Sequence, residues 1–158
     1  MSIEGMYQEL ILDHHKHPVG KGLREPFSVE VHHINTSCGD ELTVRTKIDS
    51  DGLLADISWD GVGCAISMAS MSMLAEMATG ESVAAFEQRK VAFLAVMHGR
   101  GTVVADAALL NDAVAFQGVA QFAARVKCAL LGWMAVADAI EQTSTLPQNN
   151  SQGGNNDN

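Results

Sequence analysis

Two hydrophobic periods divide this chain, and the change from one to the other at Gly63 constrains the fold more than any other feature. Between residues 27 and 59 apolar side chains return every second position. Phe27, Val29 and Val31 alternate with Ser28, Glu30 and His32; Leu42, Val44, Thr46 and Ile48 alternate with Glu41, Thr43, Arg45 and Lys47; Leu53, Ala55, Ile57 and Trp59 make a third run. A period of two places alternate side chains on one face, so each run predicts a half-buried strand. Asp49-Ser50-Asp51-Gly52 supplies turn chemistry between the second and third runs, and the three form an antiparallel meander with one apolar face. After Gly63 the pattern is helical, over roughly 65 to 78, 81 to 97 and 120 to 141, with a Gly-rich break at 99 to 101 and a loop or short helix after it. Ahead of the strands, residues 6 to 15 predict a short amphipathic helix with Met6, Leu10 and, on its flank, Ile11 facing inward, ended by His17-Pro18. Helices must cover the apolar face of the sheet. The expected class is α+β: a three-stranded antiparallel sheet with helices packed on it.

Composition sets limits on this picture. A chain of 158 residues with 47% hydrophobic side chains is one domain with a real core. That domain is expected to end near residue 142, because the stretch from Thr143 to Asn158 has too little apolar surface to offset its ordering entropy and reads as a disordered tail. A net charge of −9, from 10 basic and 19 acidic side chains, argues against a nucleic-acid partner. No apolar run approaches the roughly 18 residues that signal a membrane span. Three cysteines cannot all pair within one chain and no signal-peptide pattern opens the sequence, so a cytoplasmic protein is expected.

The cysteines fall at informative places. Cys38 lies in Cys38-Gly39-Asp40 between the first two strands, Cys64 ends Gly61-Val62-Gly63-Cys64 where a strand passes into a helix, and Cys128 is early in the last helix. The thiolate is the metal-binding form of cysteine, and zinc favours a tetrahedral shell of sulfur, nitrogen or carboxylate oxygen. Three thiolates and Asp40 complete four ligands but carry four negative charges against two positive. Arg125, one turn before Cys128, and Lys127 beside it are placed to offset the excess, and the helix starting at Cys64 brings its positive end to that sulfur. The competing reading is that a free cysteine in an apolar helix, Cys128 above all, is a small buried hydrophobe. On residue types alone, a Cys-His-Asp hydrolase is also conceivable, but it leaves two cysteines unexplained.

The matching stretches are Tyr7-Gln-Glu-Leu-Ile-Leu-Asp-His14, Cys38-Gly-Asp40, Gly61-Val-Gly-Cys64-Ala-Ile-Ser-Met-Ala-Ser70, and Gln117-Gly-Val through Arg125-Val-Lys-Cys128. In these the chain resembles the SufU branch of the IscU/NifU-like iron–sulfur cluster assembly proteins. IscU-type scaffolds carry a histidine immediately before the third cysteine, where this chain has Lys127, and a shorter segment than residues 65 to 127 between the last two cysteines. The resemblance implies the SufE/NifU-like, IscU-like fold and a zinc ion held by Cys38, Asp40, Cys64 and Cys128. It also implies a pyridoxal-phosphate (PLP)-dependent cysteine desulfurase of the SufS type as partner, alongside other iron–sulfur assembly proteins. Cys38 is then the sulfur acceptor of a sulfurtransferase-like protein and Arg125 a contact to the partner, whereas IscU-like relatives use the Cys128 position. Zinc-bound thiolate is deprotonated but damped as a nucleophile, so attack on a persulfide is faster if one sulfur leaves the shell. Three functions stay open: zinc-dependent sulfur transfer, a scaffold for a transient iron–sulfur cluster, and a structural zinc module. The charged ammonium of Lys127 has no lone pair to ligate with, which weakens the scaffold reading, and a carboxylate ligand at Asp40 suits an adaptable site over a closed one.

His14, His15 and His17 with Lys16, Lys21 and Arg24 form a basic patch that is a docking surface, a second metal site or solvated surface. His32 and His33 alternate across a strand, so at most one faces a given site. Met68, Met71, Met73 and Met77 have the spacing of helical core.

Overall fold

The computed structural model describes residues 3 to 145, with side chains from Gly5 to Ser144. Three strands, β1 (Val29–Asn35), β2 (Asp40–Ile48) and β3 (Leu54–Val62), form an antiparallel sheet in the order β1-β2-β3. Helices α1 (Ile3–Lys16), α2 (Ala65–Ala78), α3 (Val83–His98), α4 (Ala107–Leu110) and α5 (Ala123–Thr145) complete the fold, with 3-10 turns at Asn111–Gln117 and Val119–Gln121. The expected α+β class is observed. The last helix begins later than residue 120, because 119 to 121 form a 3-10 turn and Phe122 is extended. It also runs past 142: Thr143 to Thr145 are helical, and the rest of the expected tail, 146 to 158, lies outside the described residues.

The central strand follows the expected alternation, with Leu42, Val44 and Thr46 fully buried. β3 does not follow it throughout. Lys47 pairs with Asp56 but Ile48 pairs with Leu54, which leaves Ala55 as an extra residue in a β-bulge. The bulge reverses the phase: Ile57 and Trp59 are inside as expected, whereas Leu54 is fully buried and Ala55 exposed. Phe27, expected on the inner face, precedes β1 and lies partly exposed beneath the Arg45 guanidinium, 4.2 Å from the ring centre. The outer edge of β3 is occupied by the chain after α1: Trp59 N–H donates to Gly20 O and Gly22 N–H to Trp59 O. An edge closed this way offers no template for another chain.

α2 is the central helix. It is buried nearly all round, from Ser67 to Ala78, as its continuous apolar sequence requires. Met68, Met71, Met73 and Met77 are all core. α2 meets α5 where Gly132 faces Met71; a Cβ there would stand 2.7 Å from the Met71 sulfur, so only glycine permits this approach. Phe93 of α3 stacks on Trp133 of α5 with ring centres 4.4 Å apart and Phe116 meets Phe93 edge-on, while Trp133 Nε1 donates to Ser70 Oγ.

On α1 the inward stripe is Tyr7, Leu10, Ile11 and His14, and Met6, expected inside, is 53% exposed. The phase shift of one residue brings a histidine into the stripe at the i+7 position. The basic patch is thereby divided: His14 is buried while His15 and His17 remain exposed. His33 turns inward to Asp138 of α5 at 2.8 Å, and His32 faces out and pairs with Glu41.

The bulge has a direct test in chemical denaturation. Leu54→Ala is expected to cost about 2–5 kcal/mol, the range for emptying a buried leucine site. Leu53→Ala should cost clearly less, and Ala55→Lys should be close to neutral. Equal losses at 53 and 54 would contradict the observed phase.

Candidate metal centre

The β1–β2 hairpin tip, the β3–α2 junction and the second turn of α5 come together at one end of the sheet. Asn35 closes the hairpin: its backbone carbonyl accepts the N–H groups of Cys38 (3.3 Å) and Gly39 (2.8 Å), and its side-chain oxygen accepts the Ser37 N–H. Gly39 has φ +75°, a conformation that L side chains rarely adopt. This turn leaves Cys38 exposed and places Asp40 at the first, fully inward position of β2.

Asp40 is 1% exposed, and its carboxylate is surrounded by donors. Oδ1 accepts the backbone N–H of Cys64 at 2.9 Å, and Oδ2 lies 3.0 Å from Cys38 Sγ and 3.6 Å from Cys64 Sγ. Cys38 Sγ is 3.2 Å from Cys128 Sγ. Cys64 caps the N-terminus of α2 in extended conformation, where the unpaired N–H groups carry the positive end of the helix dipole. Gly63 is obligatory: a Cβ there would lie 2.7 Å from Asp40 Oδ1 and from Ser67 Oγ. Gly61 is equally restricted, because its Cβ would meet the Glu41 carbonyl at 2.2 Å.

All four residues expected as ligands are therefore neighbours, with a graded arrangement. Cys38, Asp40 and Cys128 offer ligand atoms all within 4.8 Å of one another, while Cys64 adjoins this trio through Asp40. Cys38 is exposed, Cys64 half-buried and Cys128 buried. Arg125 and Lys127 are exposed on the first turns of α5, and neither makes an ion pair with the cluster among the described residues. Hydrogen bonds and the α2 N-terminus, not these two cations, hold the Asp40 charge.

Two further residues contribute that the sequence reading did not single out. Asn35 Nδ2 approaches Cys128 Sγ at 4.0 Å, and Ser67 Oγ donates to the Cys64 carbonyl at 3.1 Å while lying 3.8 Å from Cys64 Sγ. The turn sequence Asn35-Thr-Ser-Cys-Gly is a recognisable Asx-turn signal for the first. Ser67, three residues after the helix cap, had only its spacing to mark it.

The electrostatics agree with a site that exchanges protons for a metal. Burial raises the Cys128 thiol well above its ordinary range, and hydrogen bonds with Cys38, Asp40 and Cys64 and the proximity of Cys64 push it further. For Asp40 burial also favours the neutral acid, but hydrogen bonds from Cys38, the Cys64 backbone, Cys128 and Ser67 outweigh it and lower the carboxyl. Three thiols and an ionised carboxylate suit a tetrahedral zinc ion.

These features define a class: an α+β domain that gathers three cysteines and one aspartate, a donor set able to hold a metal ion, at the end of a three-stranded sheet. The family described as NifU-like N terminal domain matches residues 6–129, and the chain belongs to it. The zinc-dependent sulfurtransferase SufU of Bacillus subtilis is 34% identical over 139 residues, covering 88% of this chain and 92% of that protein. The iron–sulfur cluster assembly scaffold protein IscU of Thermotoga maritima is 33% identical, covering 91% of this chain and 99% of its own. Among solved structures, a nitrogen-fixing NifU-like protein (N-terminal) from Brucella abortus superposes with a TM-score of 0.82 at 25% identity, covering 92% of this chain and 99% of that one. A putative scaffold protein for the SUF system from Fervidobacterium islandicum gives 0.74 at 29% identity, covering 88% and 99%. No described helix is long and apolar enough to cross a membrane.

Two outcomes test the site. Gly63→Ala should displace the Asp40 carboxylate and weaken zinc binding by at least about tenfold, the scale set by loss of an outer hydrogen-bonding partner, measured by competition with a chromogenic chelator. Because the Cys128 thiol is raised, metal binding at neutral pH must expel its proton. Zinc affinity should therefore rise with pH through neutrality and keep rising above it, and calorimetry in buffers of different ionisation enthalpy should register proton release. A pH-independent affinity would show that no thiol is protonated in the metal-free site.

Proposed function

We propose that this protein is a zinc-dependent sulfur acceptor of iron–sulfur cluster assembly, taking persulfide sulfur from a PLP-dependent cysteine desulfurase onto Cys38. The observation that carries this reading is the unequal anchoring of the cluster. Cys128 is built into α5 and Asp40 into β2, and Cys64 is tied to α2 as its N-cap, whereas Cys38 stands exposed on a hairpin turn. It can leave the cluster while disturbing the least packed structure.

Cys38, Asp40, Cys64 and Cys128 would hold the zinc ion, which when bound would keep the thiols deprotonated near neutral pH and restrain their nucleophilicity. In the transfer the Cys38 thiolate attacks the outer sulfur of the desulfurase persulfide. The partner's S–S bond breaks, a new S–S bond forms on Cys38, and the partner's cysteine leaves as thiolate. Asp40 accepts the Cys64 N–H at 2.9 Å, which ties the start of β2 to the β3–α2 junction. Ile34 and Val62, 56% and 62% exposed, flank Glu41 on the outer face of the sheet in the row next to Asp40. They offer apolar surface on that outer face for a partner, and the exposed Arg125 and Lys127 offer charge.

The likeness to the Thermotoga scaffold supports a second reading, in which the same cysteines hold an iron–sulfur cluster as cargo. One experiment separates the two. Incubated anaerobically with a desulfurase and cysteine, the zinc-loaded protein should gain one sulfur atom on the peptide containing Cys38, seen by mass spectrometry. Cys38→Ala should lose both the adduct and any stimulation of desulfurase turnover. An adduct confined to Cys128, or a brown protein holding iron and sulfide after anaerobic purification, would favour the scaffold. A protein that takes up neither sulfur nor cluster would leave only a structural zinc module.

A further inference from the structure

The buried stripe of α1 ends on an imidazole with unusual surroundings. His14 is 5% exposed. Its Nδ1 is 2.7 Å from Ser72 Oγ, and its Nε2 is 3.0 Å from Asp112 Oδ2 and 3.6 Å from Glu76 Oε1. Ser72 Oγ also accepts the Val19 N–H at 2.8 Å. Two carboxylates thus converge on one ring nitrogen, which carries at most one proton to share between them. Neither Glu76 nor Asp112 forms an ion pair with a lysine or arginine among the described residues. The three candidate ligand atoms lie within 4.8 Å of one another, and the two acidic side chains are 53% and 41% exposed, so solvent reaches the cluster from their side.

We propose that His14, Glu76 and Asp112 form a second divalent-cation site, independent of the cysteine cluster, for an ion that accepts one imidazole and two carboxylates with water completing its shell. This ligand set suits Mn2+ as well as zinc, whereas a thiolate set favours zinc. Ser72 is already placed as the outer partner that a metal-bound imidazole needs: its oxygen has lone pairs for both the Val19 N–H and a His14 Nδ1–H, which frees Nε2 to ligate. The ligands come from α1, from α2 and from the 3-10 turn ahead of α5. An ion here would clip α1 and the 3-10 turn to α2, the helix that Cys64 caps.

The full chain, with one equivalent of zinc bound, is titrated with Mn2+ and followed by the electron paramagnetic resonance signal of the free ion. One saturable Mn2+ per chain is expected, with zinc retained. Glu76→Gln and Asp112→Asn, both at partly exposed positions, should each weaken binding by at least about tenfold and together abolish it, with unchanged circular dichroism showing that the fold is intact. His14→Gln should behave as the double variant does, and if it does not fold, the two acidic variants decide alone. Absence of saturable binding, Mn2+ affinity indifferent to the acidic variants, or uptake only in exchange for zinc would each overturn the proposal and leave the cluster a hydrogen-bonded clip between helices.

Discussion

The Asp40 carboxylate is the group on which the functional end of this molecule depends. A buried charge left without partners costs several kcal/mol, so the surrounding elements must supply donors or the carboxylate must become neutral. Here the donors come from three directions: the Cys64 N–H at the start of α2, the Cys38 thiol on the hairpin, and Cys128 and Ser67 from helices. Meeting that one requirement fixes the hairpin tip against the β3–α2 junction and brings the second turn of α5 over both. Gly63 is the steric side of the same constraint, since any side chain there would occupy the space of the carboxylate.

Rigidity is distributed accordingly. The platform beneath the cluster is α2, buried nearly all round, and its close crossing with α5 at Gly132 and Met71. The Phe93, Trp133 and Phe116 rings seal the far side of that crossing. Sites held on helices and strands keep their geometry better than sites on loops; Asp40 is in β2, Cys128 in α5, and Cys64 is fixed as the N-cap of α2. Only Cys38 is on a turn. A cluster with three fixed members and one that can be withdrawn suits a protein that hands a sulfur atom on, and suits less well one whose metal is a permanent staple.

Burial is also what separates the histidines. His14, His15 and His17 are equivalent as a basic run, but His14 faces α2 and two carboxylates while His15, about 100° round the helix, and His17, beyond the end of α1, remain in water. The chemistry available to each follows from that placement and not from the residue type.

Much of this protein is determined by local sequence. The alternation of Leu42, Val44 and Thr46, the turn residues after Ile48, and the continuous apolar run of α2 each specify an element from within it, because periodicity reports which face is buried whatever lies opposite. The four members of the cysteine cluster were legible for a related reason: glycines and turn chemistry mark Cys38 and Cys64 as sharply positioned residues. What tertiary structure alone decided are the features that depend on a second segment. The bulge at Ala55 arises from the register between β2 and β3, and it moves Leu54 into the core where strict alternation would have put Leu53. The inward phase of α1, with Tyr7 and His14 in place of Met6, is set by α2 and the 3-10 turn against which it packs. Lys127 is turned about 100° from Cys128 by helical geometry. Arg125, though one turn before Cys128, is exposed and makes no ion pair with the cluster among the described residues, because the carboxylate finds its donors among backbone and thiol groups.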